Sequence, residues 1–281
     1  SKPLLVYDSH EFEIGRNTNG SRNKLTSFFI CKLEKFLMKK CAFSIMVNDS
    51  IALEVQKIHK LESTPVVVRN IPEYWNIDEK VCFERKREIC EQLNVPQDTF
   101  LVMYHGSVLK NRGVENLLLS INRIKEVACI ILGNGDSDYI DSLKKLVNNL
   151  GIRDRVLFHN AVPFNRLWEY VGAADVGMIT IPAVSKSYYY MLPNKFFENI
   201  QSLTPIICSD FPEVGKIVEK YDIGLLVDPD DTNEIVEAIE TMRVDSETYR
   251  RFKNNLIKAK EDLCWEKEST VLEEAYKEIL L

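Results

Sequence analysis

Nine short apolar runs recur along the chain, and between them apolar residues return every three or four positions. The runs are Leu4 to Tyr7, Ser44 to Val47, Val66 to Val68, Phe100 to His105, Ala128 to Leu132, Val156 to Phe158, Val176 to Ile179, Pro205 to Cys208 and Gly224 to Val227. Unbroken apolar runs of this length suit strands covered on both faces, while the longer period suits amphipathic helices. Their alternation predicts parallel strands joined by crossover helices, an α/β fold.

One segment breaks the rhythm. Ile71 to Asp98 holds Pro72, Pro96 and a charged helix around Glu84 to Glu91, and reads as a hinge between two lobes. From Thr99 to Asp262 six strands with their helices follow, enough for a complete doubly wound lobe with strand order 3-2-1-4-5-6. Only three strands precede it, so residues 1–70 read as the second half of such a lobe. Its leading strand would have a bare edge, which a dimer, a partner chain or a further N-terminal segment is expected to cover. Residues 263–281 form a terminal helix, expected to turn back toward the first lobe, with Trp265, Val271, Leu272, Tyr276 and Leu280 in an apolar stripe.

Composition narrows the function classes. The 281 residues carry a net charge of −6, which argues against a general nucleic-acid binder, because that role needs a broad basic surface. Any phosphate recognition should be local. The seven cysteines include no close metal-type pair and read as reduced packing residues. Without a membrane-spanning run or a signal-peptide pattern at Ser1 to His10, a soluble cytoplasmic protein is expected. Residues 21–40 hold six basic residues and one acid, with Phe29, Leu33, Phe36 and Leu37 on one helix face and Lys32, Lys35 and Lys39 on the other. Over residues 28–40 this suits either a solvated domain-surface helix or peripheral contact with anionic lipid at an inner membrane face.

The candidate chemistry centres on Leu192-Pro193-Asn194-Lys195-Phe196-Phe197-Glu198. Pro193 fits the first helical position and would leave the amides of Asn194, Lys195 and Phe196 free, and such a helix end attracts anions. Glu198, one turn on, shares that helix face and suits ribose hydroxyls; an ordinary capped helix with Glu198 in solvent is the simpler alternative. His10 follows the strand Leu4 to Tyr7, at the carboxyl end where ligands bind in open α/β sheets, with Asp8 and Glu11 beside it; a structural histidine would look the same. Gly106 opens a turn in which Lys110 and Arg112 can neutralise a diphosphate, although a solvated basic loop has the same composition. The absence of lysine followed by Ser or Thr removes the P-loop reading. Gly133-Asn134-Gly135-Asp136 is half of a dinucleotide fingerprint without its third glycine, which disfavours nicotinamide chemistry. Tyr188, Tyr189 and Tyr190 suit either stacking on a sugar or packing.

Taken together these pieces resemble the retaining family 4 glycosyltransferases of the GT-B fold, with a first lobe that looks truncated. The resemblance rests on the order and spacing of Tyr7-Asp8-Ser9-His10-Glu11, Val66 to Pro72, Tyr104-His105-Gly106 leading to Arg112-Gly113, Ile131 to Gly135, Val156 to Asn160, Ala174 to Gly177, Leu192 to Glu198 and Gly224 to Val227. It implies two Rossmann-like lobes, the first represented by its second half. It also implies roles: Glu198 on the donor ribose, Arg112 and the amides near Asn194 and Lys195 on the diphosphate, His10 near the reacting carbon, and the backbone of Ala161 and Val162 beside the base. Two positions depart from the family pattern. Tyr190 stands where the first of two paired acids is expected, and Ser107 where an arginine usually follows the glycine, so Arg112 and Lys110 would carry more of the diphosphate charge.

The implied reaction moves a sugar from a nucleoside-diphosphate sugar to an acceptor hydroxyl with retention. Neither metal nor cofactor is implied. The donor is itself a substrate, with UDP-sugars favoured on their frequency in the family, and the acceptor would be a glycan or lipid-linked molecule in glycan or surface polysaccharide synthesis. Two alternatives stand beside it: a non-catalytic nucleotide-sugar-binding subunit or fragment that needs a partner, and a sugar-nucleotide epimerase.

Overall fold

The computed structural model describes residues 3–10, 12 and 24–280. Among them nine strands form where the apolar runs predict. They are β1 (Val6–Asp8), β2 (Phe43–Met46), β3 (Val66–Val67), β4 (Phe100–His105), β5 (Val127–Leu132), β6 (Val156–His159), β7 (Val176–Ile179), β8 (Ile206–Ser209) and β9 (Gly224–Val227). All pair in parallel. Two sheets result, one in the order β1-β2-β3 and one in the order β6-β5-β4-β7-β8-β9.

The second order is 3-2-1-4-5-6 counted within its lobe, so the chain reverses direction across the sheet between β4 and β7. That reversal opens a crevice at the carboxyl ends of the strands. Every residue of β5 is buried, as a central parallel strand requires. Among the described residues β1 is the end strand of the smaller sheet, and Leu4 and Leu5 beside it are more than half exposed.

The helices are α1 (Lys24–Met38), α2 (Asp49–His59), α3 (Glu79–Leu93), α4 (Val114–Arg123), α5 (Ser137–Asn149), α6 (Leu167–Val171), α7 (Lys186–Tyr189), α8 (Asn194–Gln201), α9 (Pro212–Tyr221), α10 (Thr232–Val244), α11 (Ser246–Asp262) and α12 (Trp265–Leu280). No helix among the described residues is long and apolar enough to cross a membrane. Within the connecting segment α3 lies on the larger lobe, where Ile89 and Leu93 join a core with Leu101, Met103 and Tyr170. The Lys86 ammonium bonds Asp175 at 2.6 Å.

α12 reaches the smaller sheet. Glu268 accepts bonds from the Arg69 amide and guanidinium, and Tyr276 meets Phe43 edge-on at 5.2 Å. Its expected apolar stripe is not what it buries: Trp265, Val271, Tyr276 and Leu280 are exposed, while Glu268 and Ala275 are buried. The cause is the ion pair with Arg69, which turns the carboxylate face inward and rotates much of the stripe toward solvent. α1 likewise exposes Phe28, Phe29, Leu33, Phe36 and Leu37.

Candidate functional site

The site forms where α8 begins. α8 starts at Asn194, with Pro193 in the extended conformation as its N-cap rather than in the first turn. Lacking an N–H and a polar side chain, Pro193 caps nothing, but its carbonyl accepts from Phe196 N–H at 2.9 Å. The Phe196 amide is therefore taken, and the helix end presents the amides of Asn194 and Lys195. The positive end of the helix dipole points the same way.

Facing it, β4 runs into a turn at Gly106 with φ +110°, which favours glycine. The Tyr104 hydroxyl donates to the Ser107 carbonyl at 2.7 Å and fixes that turn. Gly133 lies against it; a Cβ there would come within 1.9 Å of the Gly106 carbonyl oxygen, so only glycine lets these two strand ends pass. Asp136 caps α5 by accepting from Tyr139 N–H at 2.8 Å, and Asn134 accepts from Ala161 N–H at 3.0 Å.

A cavity of about 570 Å³ lies between the lobes, within the usual range for small-molecule sites. His10, Arg112, Tyr190, Pro193 and Asn194 line it together, joined by Tyr188. His10 sits just past β1, its Nε2 3.7 Å from Asp8 Oδ2, with its side chain about two-thirds exposed. Glu11 lies outside the described residues. A smaller cavity of about 170 Å³ carries Glu198 with Ile71, Pro72 and Phe164, and shares Asn70 and Asn194 with the larger one. Lys110 is exposed and lines neither cavity, and Gly106, Gly133, Ala161 and Val162 line neither as well.

Three features lay beyond the sequence reading. His105 is buried and shares a 2.9 Å hydrogen bond through Nε2 with Glu198 Oε2, so one carboxylate oxygen is held. Its position at a strand end just before Gly106 was the available signal. Asn48 caps α2 through Ile51 N–H and donates to the Tyr190 carbonyl at 2.7 Å, tying the first lobe to the tyrosine segment. The Lys195 side chain, not only its amide, lies against the Gly106 turn, although it lines neither cavity. It is buried, with Nζ 3.9 Å from the Tyr104 ring centroid and no hydrogen-bond partner. Burial, with a smaller contribution from the nearby Arg112 charge and against the pull of Glu198, pushes the Lys195 ammonium down to about 7. Arg112 lies 5.1 Å from the Tyr188 ring centroid, and its buried Nε also lacks a partner.

Residues 85–259 match the family described as Glycosyl transferases group 1. An uncharacterized glycosyltransferase of Methanocaldococcus jannaschii is 25% identical over 244 residues, spanning 85% of this chain and 60% of that protein, less than two thirds of its length. An O-antigen chain mannosyltransferase of Salmonella typhimurium is 23% identical over 264 residues, covering 90% of this chain and 69% of its own. Among solved structures, Anabaena HepE in complex with UDP superposes with a TM-score of 0.77 at 16% identity, over 98% of this chain and 72% of that one.

Proposed function

The chain belongs to the Glycosyl transferases group 1 family and has the GT-B fold, and from that premise we propose that it binds a nucleoside-diphosphate sugar between its lobes and transfers the sugar to an acceptor hydroxyl with retention. The observation that carries this reading is the interlobe cavity in which His10 from the first lobe meets Arg112, Tyr190 and the start of α8 from the second. One wall is built for an anion and the other offers a histidine to the group attached to it.

In this reading the amides of Asn194 and Lys195 and the Arg112 guanidinium hold the diphosphate and stabilise the charge that grows on it as the sugar leaves. Helix end and guanidinium supply that stabilisation without a metal. Glu198, steadied by His105, keeps one oxygen for the ribose hydroxyls. The base lies toward Ala161 and Val162, beyond the turns at Gly106 and Gly133. His10 approaches the reacting carbon, and the leaving phosphate takes the acceptor proton, so no protein nucleophile is needed. Tyr190, neutral where an acid would bind sugar hydroxyls, alters how the sugar is held. UDP-sugars are the favoured donors, as UDP is bound by HepE, and the acceptor is a glycan or lipid-linked molecule, by analogy with the O-antigen mannosyltransferase.

The division of the chain follows the same reading: residues 1–70 form an acceptor-side partial lobe, 71–98 the hinge, 99–262 the donor lobe and 263–281 a returning helix. The end position of β1 in the small sheet and exposed Leu4 and Leu5 favour a second element of the proposal, that another strand, from a partner chain or a further segment, extends the small sheet. α1 is placed against anionic lipid, with the protein on the cytoplasmic side.

Donor binding and turnover test the site. Glu198→Ala is expected to weaken donor binding about tenfold or more, since it removes a charge-assisted bond. His10→Ala is expected to lower kcat with little change in donor affinity. Unchanged kinetics in both variants overturn the assignment, and binding without transfer or hydrolysis favours the non-catalytic subunit.

A further inference from the structure

Two cations at the start of α8 and the turn facing it have buried nitrogens with no hydrogen-bond partner among the described residues: Arg112 Nε and Lys195 Nζ. The carboxylate nearest in sequence, Glu198, is already bonded to His105. Ser107 adds no charge to the turn, and Lys110 is exposed away from both cavities. Burying a charge that only Glu198, itself held by His105, offsets is costly, so the charged pair is disfavoured until an anion arrives.

The Lys195 side chain lies against Gly106. A Cβ at that position would sit 3.4 Å from Lys195 Cε and 3.5 Å from Nζ. Gly106 is exposed and places no side chain over Lys195, whose Nζ is covered in the empty site, while the Tyr104 ring packs against it from the other side. The start of α8 lies in the same segment, so amides and ammonium are offered by consecutive residues.

We propose that the Lys195 side chain is the second cation of the diphosphate site, receiving one phosphate at the side-chain-free Gly106 turn while Arg112 receives the other. This rests on the donor reading above and deepens it, because a monophosphate would satisfy only one of the two cations. A consequence concerns protons. In the empty site Lys195 is largely the neutral amine above pH 7, since burial and Arg112 both oppose its charge. A diphosphate placed against it reverses that balance: Nζ takes a proton from solvent and becomes the ammonium that bonds the phosphate oxygens. Phosphate ionisation near pH 6 is already complete at pH 8, so the ligand itself takes up no proton there.

Isothermal titration calorimetry with UDP, GDP and ADP, and with the matching monophosphates, at pH 8 in Tris and in HEPES measures proton uptake from the difference in heats. The wild-type protein is expected to take up a substantial fraction of a proton per diphosphate bound at pH 8, and clearly less at pH 6. Lys195→Met should abolish the uptake and weaken diphosphate binding about tenfold or more, with a smaller loss for the monophosphate. Lys195→Arg should restore affinity without uptake. Equal uptake in wild type and Lys195→Met, or no uptake by the wild type, overturns the role of Lys195 while leaving the donor site standing. If the wild type binds none of the three diphosphates, the donor reading falls and this inference with it.

Discussion

Lys195 shows how one residue is set by neighbours distant in sequence. Its position at a helix start is local, but its burial comes from Tyr104 and Gly106 at the end of β4. A lysine after Asn194 reads as solvated until those elements meet. The ligand-free protein should carry the cost. With the ammonium pushed down to about 7 from an ordinary 10.5, the unfolded chain binds a proton that the folded chain does not between those values. Stability attributable to this group therefore rises with pH across that window, and the penalty is complete below about pH 7. Lys195→Met should stabilise the ligand-free protein most at or below pH 7, with the gain shrinking toward pH 10, as followed by urea midpoints. A gain that does not vary with pH would place the effect in packing rather than charge. Glu198 and His105 follow the same logic: the acid was legible from its spacing in the helix, whereas its partner depends on α8 packing under β4.

Elements were more legible than side chains because hydrophobic period is a local property. β5 reads as strand from the apolar run Ala128 to Leu132, and the order of the larger sheet follows from counting six strands with crossovers. What failed was orientation. The apolar residues of α12 look like a core-facing stripe, yet Arg69, far away in sequence, draws Glu268 inward and leaves that stripe outside. α1 poses the same question, since Phe29, Leu33, Phe36 and Leu37 are exposed beside Lys32 and Lys35. An amphipathic helix with basic flanks binds anionic lipid through both apolar burial and charge. Wild-type protein should therefore sediment with phosphatidylserine-containing vesicles more than with neutral ones. Leu33→Glu with Phe36→Glu should remove that binding. Equal recovery in the supernatant with both vesicle types would discard the membrane role and leave a protein surface as the cover for α1.

At the scale of the whole molecule the cleft depends on how the two sheets are held together, and α2 does much of that holding. Asn48 reaches the Tyr190 carbonyl, Ser50 Oγ donates to Glu213 at the start of α9 at 2.5 Å, and Glu54 pairs with Lys186 at the start of α7. All three contacts join the first lobe to the second, two of them at the tyrosine segment that borders the interlobe cavity. Closure and reopening of lobes commonly gate turnover. Ser50→Ala removes a bond to a buried carboxylate, while Lys216 still bonds Glu213 and limits the loss to about 1 kcal/mol. Lys186→Ala loosens the second contact, which is exposed and contributes less. The double variant should populate a more open form. Its radius of gyration by small-angle scattering should be larger than wild type without ligand and return toward wild type with saturating donor. Its KM for donor should rise more than its kcat falls, because part of the binding energy is then used to close the lobes. A variant as compact as wild type, with unchanged KM, would show that other contacts fix the lobes and that α2 merely lies between them.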